Sequence, residues 1–361
     1  MKVLELVDDS AEYCGRLLAG LGLDVVKLEP PEGAPSRRRG PFVDGTDDSL
    51  HFLHYNVGKG SVVVRADDDI RRLCMDADVL IHTLRRGDAV ERGLDAETLL
   101  AANPDLVVCA ITPFGQSGPW ADYQADDLVL MALGGSMAAC GYGPADPPLA
   151  CYGDQAWHTT NTYAAIAILS ALWWRDAPDA TASAGGRGQF IDVSGHECSA
   201  SMTEWHVMTY LCTGQAMPRF AHGTLVAADG RHVCALTPDF LGPHVFRNLV
   251  AMLEADGVAG PLGEPEFADP AYRAGHYGEV YRALKRLAER HDAEELYRMG
   301  QAAGLPWGVV RAPEEVLDDP HLRARGHFVE IDGMTHVGAP FLAERSPFRL
   351  ARGAPRLGQD S

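Results

Sequence analysis

The chain has 361 residues, 46% of them hydrophobic, with 31 basic and 50 acidic side chains and a formal charge of −19 at pH 7. That length is enough for a large core and suggests two domains, and a charged fraction of 22% is close to the globular average, which argues against wholesale disorder. A surface this acidic repels nucleic acid and anionic membranes, so neither is an expected partner, and an anionic ligand is expected only where basic residues gather.

The element signals begin at the N-terminus. Residues 3–7 (VLELV) read as a short strand. Asp9 or Ser10 suits the N-cap of a helix carrying Tyr13, Leu17, Leu18 and Leu21 at helical spacing, which Gly20 and Gly22 end. A second strand over 24–29 stops at Pro30-Pro31. The pattern repeats with a strand at 61–64, a helix at 67–75, a strand at 78–82, a helix at 96–102 and a strand at 106–111. Strands alternating with helices predict an α/β fold with a parallel sheet covered on both faces. A long apolar helix is expected over 159–174, a small-residue turn at 180–188 and a strand at 190–193, followed by a helix with Trp205 and His206. Near 221–230 the texture changes to short strands, followed by amphipathic helices at 279–291 and 293–303. These set the expected boundaries: a large domain over 1–222, a small α+β domain over 223–325, and a tail over 326–361 that returns to the large domain.

Several site types are not expected. The first strand–helix turn lacks G-x-G-x-x-G and is acidic where a pyrophosphate would sit, so no nicotinamide site is expected. There is no G-x-x-x-x-G-K-[ST] and no G-x-S-x-G. The eight cysteines form no C-x-x-C pair and read as reduced thiols, with no metal site. No apolar run of about 18 residues and no signal-peptide pattern is present, so a cytoplasmic location is expected.

Three basic clusters stand beside strand ends in this acidic protein: Arg37-Arg38-Arg39, Lys59, and Arg85-Arg86. Any one of them reads as solvated loop charge. Together they suit a phosphate-rich ligand such as the 3′-phospho-ADP of coenzyme A, because open α/β sheets bind ligands beyond the carboxyl ends of their strands.

The segments GRLLAGLGLDVVKLEPPEG, NVGKGSVVV, ADVLIHTLRRG, ANPDLVVCAITPFGQSGP, ADYQADDLVLMALGG, GRGQFIDVSGHE, GLPWGVV and DDPHLRARGHF, with the Gly153-Asp154 pair, resemble the class III CoA-transferases. That family also holds carnitine CoA-transferases, formyl-CoA transferases and α-methylacyl-CoA racemases. The resemblance implies a Rossmann-like large domain built from both chain ends plus a small domain, and a homodimer of two interlocked rings. It implies an enzyme that takes CoA as a substrate and moves it from an acyl thioester to a carboxylic acid. Asp154 is the implied nucleophile, with Gly153 beside it. Arg37, Lys59, Thr83, Leu84, Arg85, Arg92, Gln124 and Ala125 are the implied CoA contacts.

From spacing alone Asp154 reads instead as the cap of a helix beginning near Ala156. The departures from the family concern the site. Thr83-Leu84-Arg85-Arg86-Gly87 replaces a frequent Asn-Phe-Arg-Pro-Gly, Glu91 fills the slot of an arginine that comes one place later as Arg92, and two or three residues around Trp157 and His158 are extra. Asp126 stands where the racemases carry histidine, which removes one of two bases and argues against racemisation. Asp127 is expected to cap or orient the helix LVLMAL, and His158 to pack rather than react. The alternatives are a racemase of the same family, a thioesterase-like activity, and a non-catalytic acyl-CoA-binding partner subunit.

Overall fold

The computed structural model describes residues 1–361 except 144, 178–186, 218, 220–223 and 236–242, so most of the turn expected at 180–188 lies outside the described residues. Contacts divide the chain into two compact units, one of Met1–Cys140, Pro148–Met217 and Pro320–Ser361, the other of Gly141–Pro147 and Pro218–Asp319.

The first unit is built on six strands: β1 (Lys2–Leu6), β2 (Asp24–Glu29), β3 (Gly60–Val63), β4 (Val79–His82), β5 (Val107–Thr112) and β6 (Phe190–Ser194). All pair in parallel, in the order β3-β2-β1-β4-β5-β6. The helices of this unit are α1 (Glu12–Gly20), α2 (Leu50–Tyr55), α3 (Asp67–Cys74), α4 (Arg86–Glu91), α5 (Ala96–Ala102), α6 (Asp127–Leu133), α7 (Ser136–Ala139), α8 (Gln155–Asp176), α9 (Gly195–Ser201) and α10 (Glu204–Thr213). Side chains alternate across the sheet. Val3, Val79, Ile81 and Ile111 join Leu18 of α1 and Ile168 of α8 in one core, while Leu4, Leu28, Leu80 and Val108 join Ile70 of α3 and Leu99 of α5 in the other. All six residues of β5 are buried, which explains its unbroken apolar reading. Chain order reverses between β1 and β4, where one βα unit runs outward to β3 and the next starts toward β6. Their carboxyl ends diverge there and leave a crevice.

A charged cluster is buried among β1, β2, α1 and the residue before β3. Lys27 Nζ is 2.8 Å from Glu12, and Lys59 Nζ is 2.8 Å from both carboxylate oxygens of Glu5; all four side chains are fully buried. Lys59 also donates to the Glu12 carbonyl at 2.7 Å and to Asn56 at 3.0 Å. Gly15 makes room for this cluster, since a Cβ there would stand 2.0 Å from Glu5 Oε1.

The second unit has an antiparallel sheet of β7 (Thr224–Val226), β8 (His232–Ala235) and β9 (Trp307–Val309), with helices α11 (Pro243–Ala255), α12 (Pro270–Gly275), α13 (Tyr277–Ala288), α14 (Ala293–Ala302) and α15 (Pro313–Val316). Its own core gathers Leu249, Leu253, Leu284, Leu287, Leu296 and Trp307. The returning segment carries α16 (Pro320–Ala324) and the hairpin β10 (Phe328–Ile331) with β11 (Met334–Val337). Its last residues cover the outer edge of β3. Asp360 accepts from Ser61 N at 2.9 Å and its own N–H donates to Ser61 O at 2.8 Å, while the Ser361 hydroxyl accepts from Val63 N at 2.9 Å. Among the described residues no helix is long and apolar enough to cross a membrane.

Candidate active site

The crevice beyond β1 and β4 is a cavity of about 770 Å³ in the first unit. Asp8, Asp9 and Ser10 enter it directly after β1, Thr83 and Arg85 after β4, and Pro113 after β5. Gln124 to Leu128 at the start of α6 and Ala150 to Asp154 leading into α8 form another wall, and Tyr13, Arg39 and Tyr55 face in from α1, the loop after β2, and α2.

Asp154 sits at the N-cap position of α8, yet its side chain makes no capping hydrogen bond. The helix starts four residues before the expected 159, immediately after this aspartate. Its cap comes from elsewhere: the Asp127 carboxylate accepts the Trp157 N–H at 3.1 Å. Asp126, not Asp127, caps α6, accepting from Val129 N at 2.9 Å. Asp126 has the extended backbone of a cap, and the carboxylate of the next residue reaches the N-terminus of α8. Gly153, at φ +85°, holds a left-handed turn that a side chain would strain and so points Asp154 into the cavity.

The carboxylate of Asp154 is about one-third exposed and lies 3.7 Å from Arg39 Nη2, whose Nη1 binds Asp9 at 2.7 Å. His158, one turn into α8, shares a 2.7 Å hydrogen bond with the Tyr55 hydroxyl and stacks on Tyr13 at 4.5 Å between centroids. Burial holds the His158 imidazole below its ordinary value, against the pull of Asp154 and Asp127, and pushes the Tyr55 hydroxyl to about 12. Burial likewise holds the Asp127 carboxyl above the usual carboxylate range, with the charge of Asp154 adding to the shift. At neutral pH the site therefore presents an uncharged imidazole and phenol beside a cluster of carboxylates. Among the described residues no cluster of three His, Cys, Asp or Glu side chains is placed to hold a metal ion.

Of the residues singled out from the sequence, Thr83, Arg85, Gln124, Ala125, Gly153 and Asp154 line this cavity together. Lys59 is a correction. It is fully buried and its ammonium is spent on Glu5, Asn56 and a carbonyl, so no phosphate reaches it. Arg37 does not line the cavity. Its guanidinium forms two 2.7 Å bonds to Glu29, a third at 3.0 Å to Pro355 O, and lies over the Phe52 ring. Arg92 pairs with Asp67 at 2.7 Å, and Leu84 binds His82 and Gln116 through its backbone; neither lines the cavity. In the sequence Arg39 reads only as part of a basic cluster, Asp9 only as a helix cap and Tyr13 only as a helix position, and Tyr55 is not singled out. The acidic run straight after β1 was a usable signal for Asp9, since residues after a switch-point strand face its crevice; nothing local distinguishes the two tyrosines.

The model of CoA-transferase family III matches residues 2–361. A curated relative, the BbsE subunit of succinyl-CoA:(R)-benzylsuccinate CoA-transferase from Thauera aromatica, is 31% identical over 99% of this chain and 91% of its own. Succinate–glutarate CoA-transferase from Agrobacterium fabrum is 29% identical over 99% of this chain and 92% of its own. Among solved structures, a CAIB/BAIF family protein from Brucella suis aligns with a TM-score of 0.87 at 27% identity, covering 100% of this chain and 96% of that one.

Proposed function

The chain belongs to CoA-transferase family III, and from that premise we propose that it transfers CoA from an acyl thioester to a carboxylic acid through covalent intermediates on Asp154. The Asp154 carboxylate attacks the thioester carbonyl, forming a mixed anhydride and expelling the CoA thiolate. The thiolate then attacks the aspartyl carbonyl, giving aspartyl-CoA and releasing the donor acid with one of the aspartate's oxygens. The acceptor carboxylate attacks aspartyl-CoA, the thiolate leaves again, and its attack on the acceptor carbonyl returns Asp154 as a carboxylate. No net proton is consumed, which suits a site whose imidazole and phenol are uncharged.

The observation that carries this reading is the uncommitted carboxylate of Asp154. It occupies a helix-cap position, faces the cavity, and is relieved of capping by Asp127. Arg85 at the end of β4 and Gln124 and Ala125 before α6 are the contacts we assign to CoA. The Asp126 carboxylate is engaged with Val129 N, so it is a poor second base for racemisation. The reading is tested by incubating the protein with an acyl-CoA, digesting it, and weighing the peptide that holds Asp154. A CoA adduct on Asp154, converted to the hydroxamate by hydroxylamine, is expected; its absence with a broad set of acyl-CoAs overturns the reading.

We extend the proposal to a cytoplasmic homodimer of interlocked rings with the domain organisation outlined from the sequence. What supports an interface is α10, which has no buried residue and exposes Trp205, Val207, Met208, Tyr210 and Leu211 by 51–72%.

A further inference from the structure

Arg39 is held at both its backbone and its tip. Its N–H donates to Ser36 O at 3.2 Å, and its carbonyl accepts the hydroxyl of Ser49, which also caps α2 through Phe52 N at 3.1 Å. At the other end Asp9 takes Nη1 at 2.7 Å and fixes that edge of the guanidinium. The opposite edge, Nη2, faces Asp154 Oδ2 at 3.7 Å, too far for a hydrogen bond but close enough for charge attraction. Arg39 thus holds one carboxylate tightly and addresses the second loosely.

The rest of the cavity wall is hostile to an incoming carboxylate. Asp8, Asp9, Asp126, Asp127 and Asp154 line it against only two described cations, Arg39 and Arg85. A carboxylic acid acceptor, anionic at neutral pH, must approach the carbonyl of Asp154 through this acidic wall. The charge balance changes during the reaction proposed above, on which this inference rests. As aspartyl-CoA, Asp154 has given one oxygen to the departing donor acid and carries no charge. The Nη2 edge of Arg39 then faces the reacting carbonyl with no anion opposite it.

We propose that Arg39 is the carboxylate-selecting residue of this site: its Nη2 edge, which faces Asp154 in the resting protein, takes the carboxylate of the acceptor acid once Asp154 is held as the uncharged thioester. The acceptor oxygen then attacks the aspartyl carbonyl, the carbon–sulfur bond breaks, and the thiolate leaves with its electron pair. The same edge holds the donor carboxylate as it departs. Selection by charge disfavours water and other neutral nucleophiles at the one stage where hydrolysis would discharge the enzyme. Asp9 is a positioning residue, because it keeps the guanidinium from swinging away when its second partner vanishes.

The experiment separates acceptor selection from loading. The full chain is loaded with succinyl-CoA, chosen because a relative named for that donor is 31% identical, and the aspartyl-CoA adduct is quantified by mass. Loaded protein is then discharged in parallel by isotopically labelled succinate and by hydroxylamine, a neutral nucleophile, and the ratio of the two rates is measured. Arg39→Gln is expected to lower that ratio at least about tenfold, the scale of a lost charge-assisted hydrogen bond, through the KM for succinate, with hydroxylamine discharge within about twofold. Arg39→Lys is expected to recover part of the ratio, and Asp9→Asn, which keeps the guanidinium but frees its anchored edge, to lower it by a smaller factor. An unchanged ratio in Arg39→Gln and Asp9→Asn, or equal slowing of both nucleophiles, overturns the assignment. Failure of the wild type to form any adduct, with other acyl-CoAs as well, sinks the transfer reading instead, so the two failures are distinct.

Discussion

The carboxylate of Asp127 accepts the backbone N–H of Trp157 at 3.1 Å and so caps the helix whose N-cap position belongs to Asp154. A helix start leaves several N–H groups without partners, and an aspartate at the cap ordinarily turns its side chain onto them. Here a carboxylate 27 residues earlier performs that task, and the aspartate at the cap keeps its oxygens for the cavity.

Replacing Asp127 by alanine is therefore expected to cost about 1–2 kcal/mol of stability, the usual size of a lost cap. Transfer should fall as well, because Asp154 becomes the nearest substitute cap. Asp127→Asn keeps an acceptor oxygen and should retain most of the stability. Its carboxyl is raised in the folded state, so the ionised form costs stability as pH rises from the ordinary value through the raised one. Above that range Asp127→Asn should compare more favourably with wild type than below it. Urea titrations at two pH values check both statements.

Asp154→Asn keeps the shape of the side chain and removes the anionic nucleophile. Transfer is expected to fall by at least about 10³-fold, with CoA affinity changed by less than about threefold. Product formation by mass spectrometry and CoA titration calorimetry read the two effects, after mass has excluded deamidation back to aspartate. Retention of a tenth of the activity would move the nucleophile elsewhere, Asp126 and Asp127 being next.

Lys59→Met tests the buried cluster. It leaves Glu5 with no partner but Lys27 at 3.7 Å, and breaking a buried pair costs roughly 3–5 kcal/mol. In a protein of this size the melting temperature should drop by roughly 4–7 °C. CoA affinity of the folded protein should stay the same. A mutant that melts normally but binds CoA weakly would return Lys59 to the ligand.

The acid limb of stability has an assignable source. Burial, the Arg16 guanidinium and the nearby His158, His336 and His51 hold His54 down to about 3, and burial with Arg92 holds His82 down to about 4. Both bases have folded values below the unfolded value of about 6.5. Their contribution is whole above that value and is lost as pH falls toward 4, because the unfolded chain takes up protons that the folded chain refuses. His54→Gln, which keeps an acceptor for Arg16, is expected to flatten the slope of unfolding free energy between pH 4 and 6.5 by up to one proton. An unchanged slope assigns the limb to other groups.

Interlocked rings cannot separate without unfolding. Sedimentation at nanomolar concentration is expected to show a dimer, and a charged substitution on α10 such as Leu211→Glu to lower soluble yield rather than release a monomer. A folded monomer at those concentrations would exclude the threaded arrangement.

The sheet was legible in the sequence because parallel strands buried on both faces read as short apolar runs between helical periods, as at 106–111. The wall of the cavity was legible where a chemistry-bearing residue closely follows a strand, as Arg85 does; Thr83 comes only from the family resemblance. The basic residues were not resolved. Arg37, Arg38 and Arg39 follow one another, but the first two close the 3-10 turn at Pro35–Arg38, in which successive side chains point about 120° apart. One arginine of the run binds Glu29 and another faces Asp9 and Asp154, and no composition signal separates them. Lys59 shows the same limit more strongly. That a lysine precedes a strand is visible, but that Glu5, 54 residues earlier, waits behind it is a property of the folded topology. Tyr55 sits on a six-residue helix too short to announce itself by periodicity.

The strip of chain at 358–361 that covers β3 also sets a clock. Val63 and Ser361 are 298 residues apart. At roughly 5–20 residues per second, a ribosome needs about 15–60 s to make that span. Through the later part of that interval, once β4, β5 and β6 have been made, the outer strand of the sheet carries bare N–H and C=O groups, the condition under which strands of neighbouring nascent chains pair with each other. The yield of active protein should therefore depend on what shields that edge while the ribosome is still working, and helper proteins that hold nascent chains should matter more for this fold than its equilibrium stability suggests.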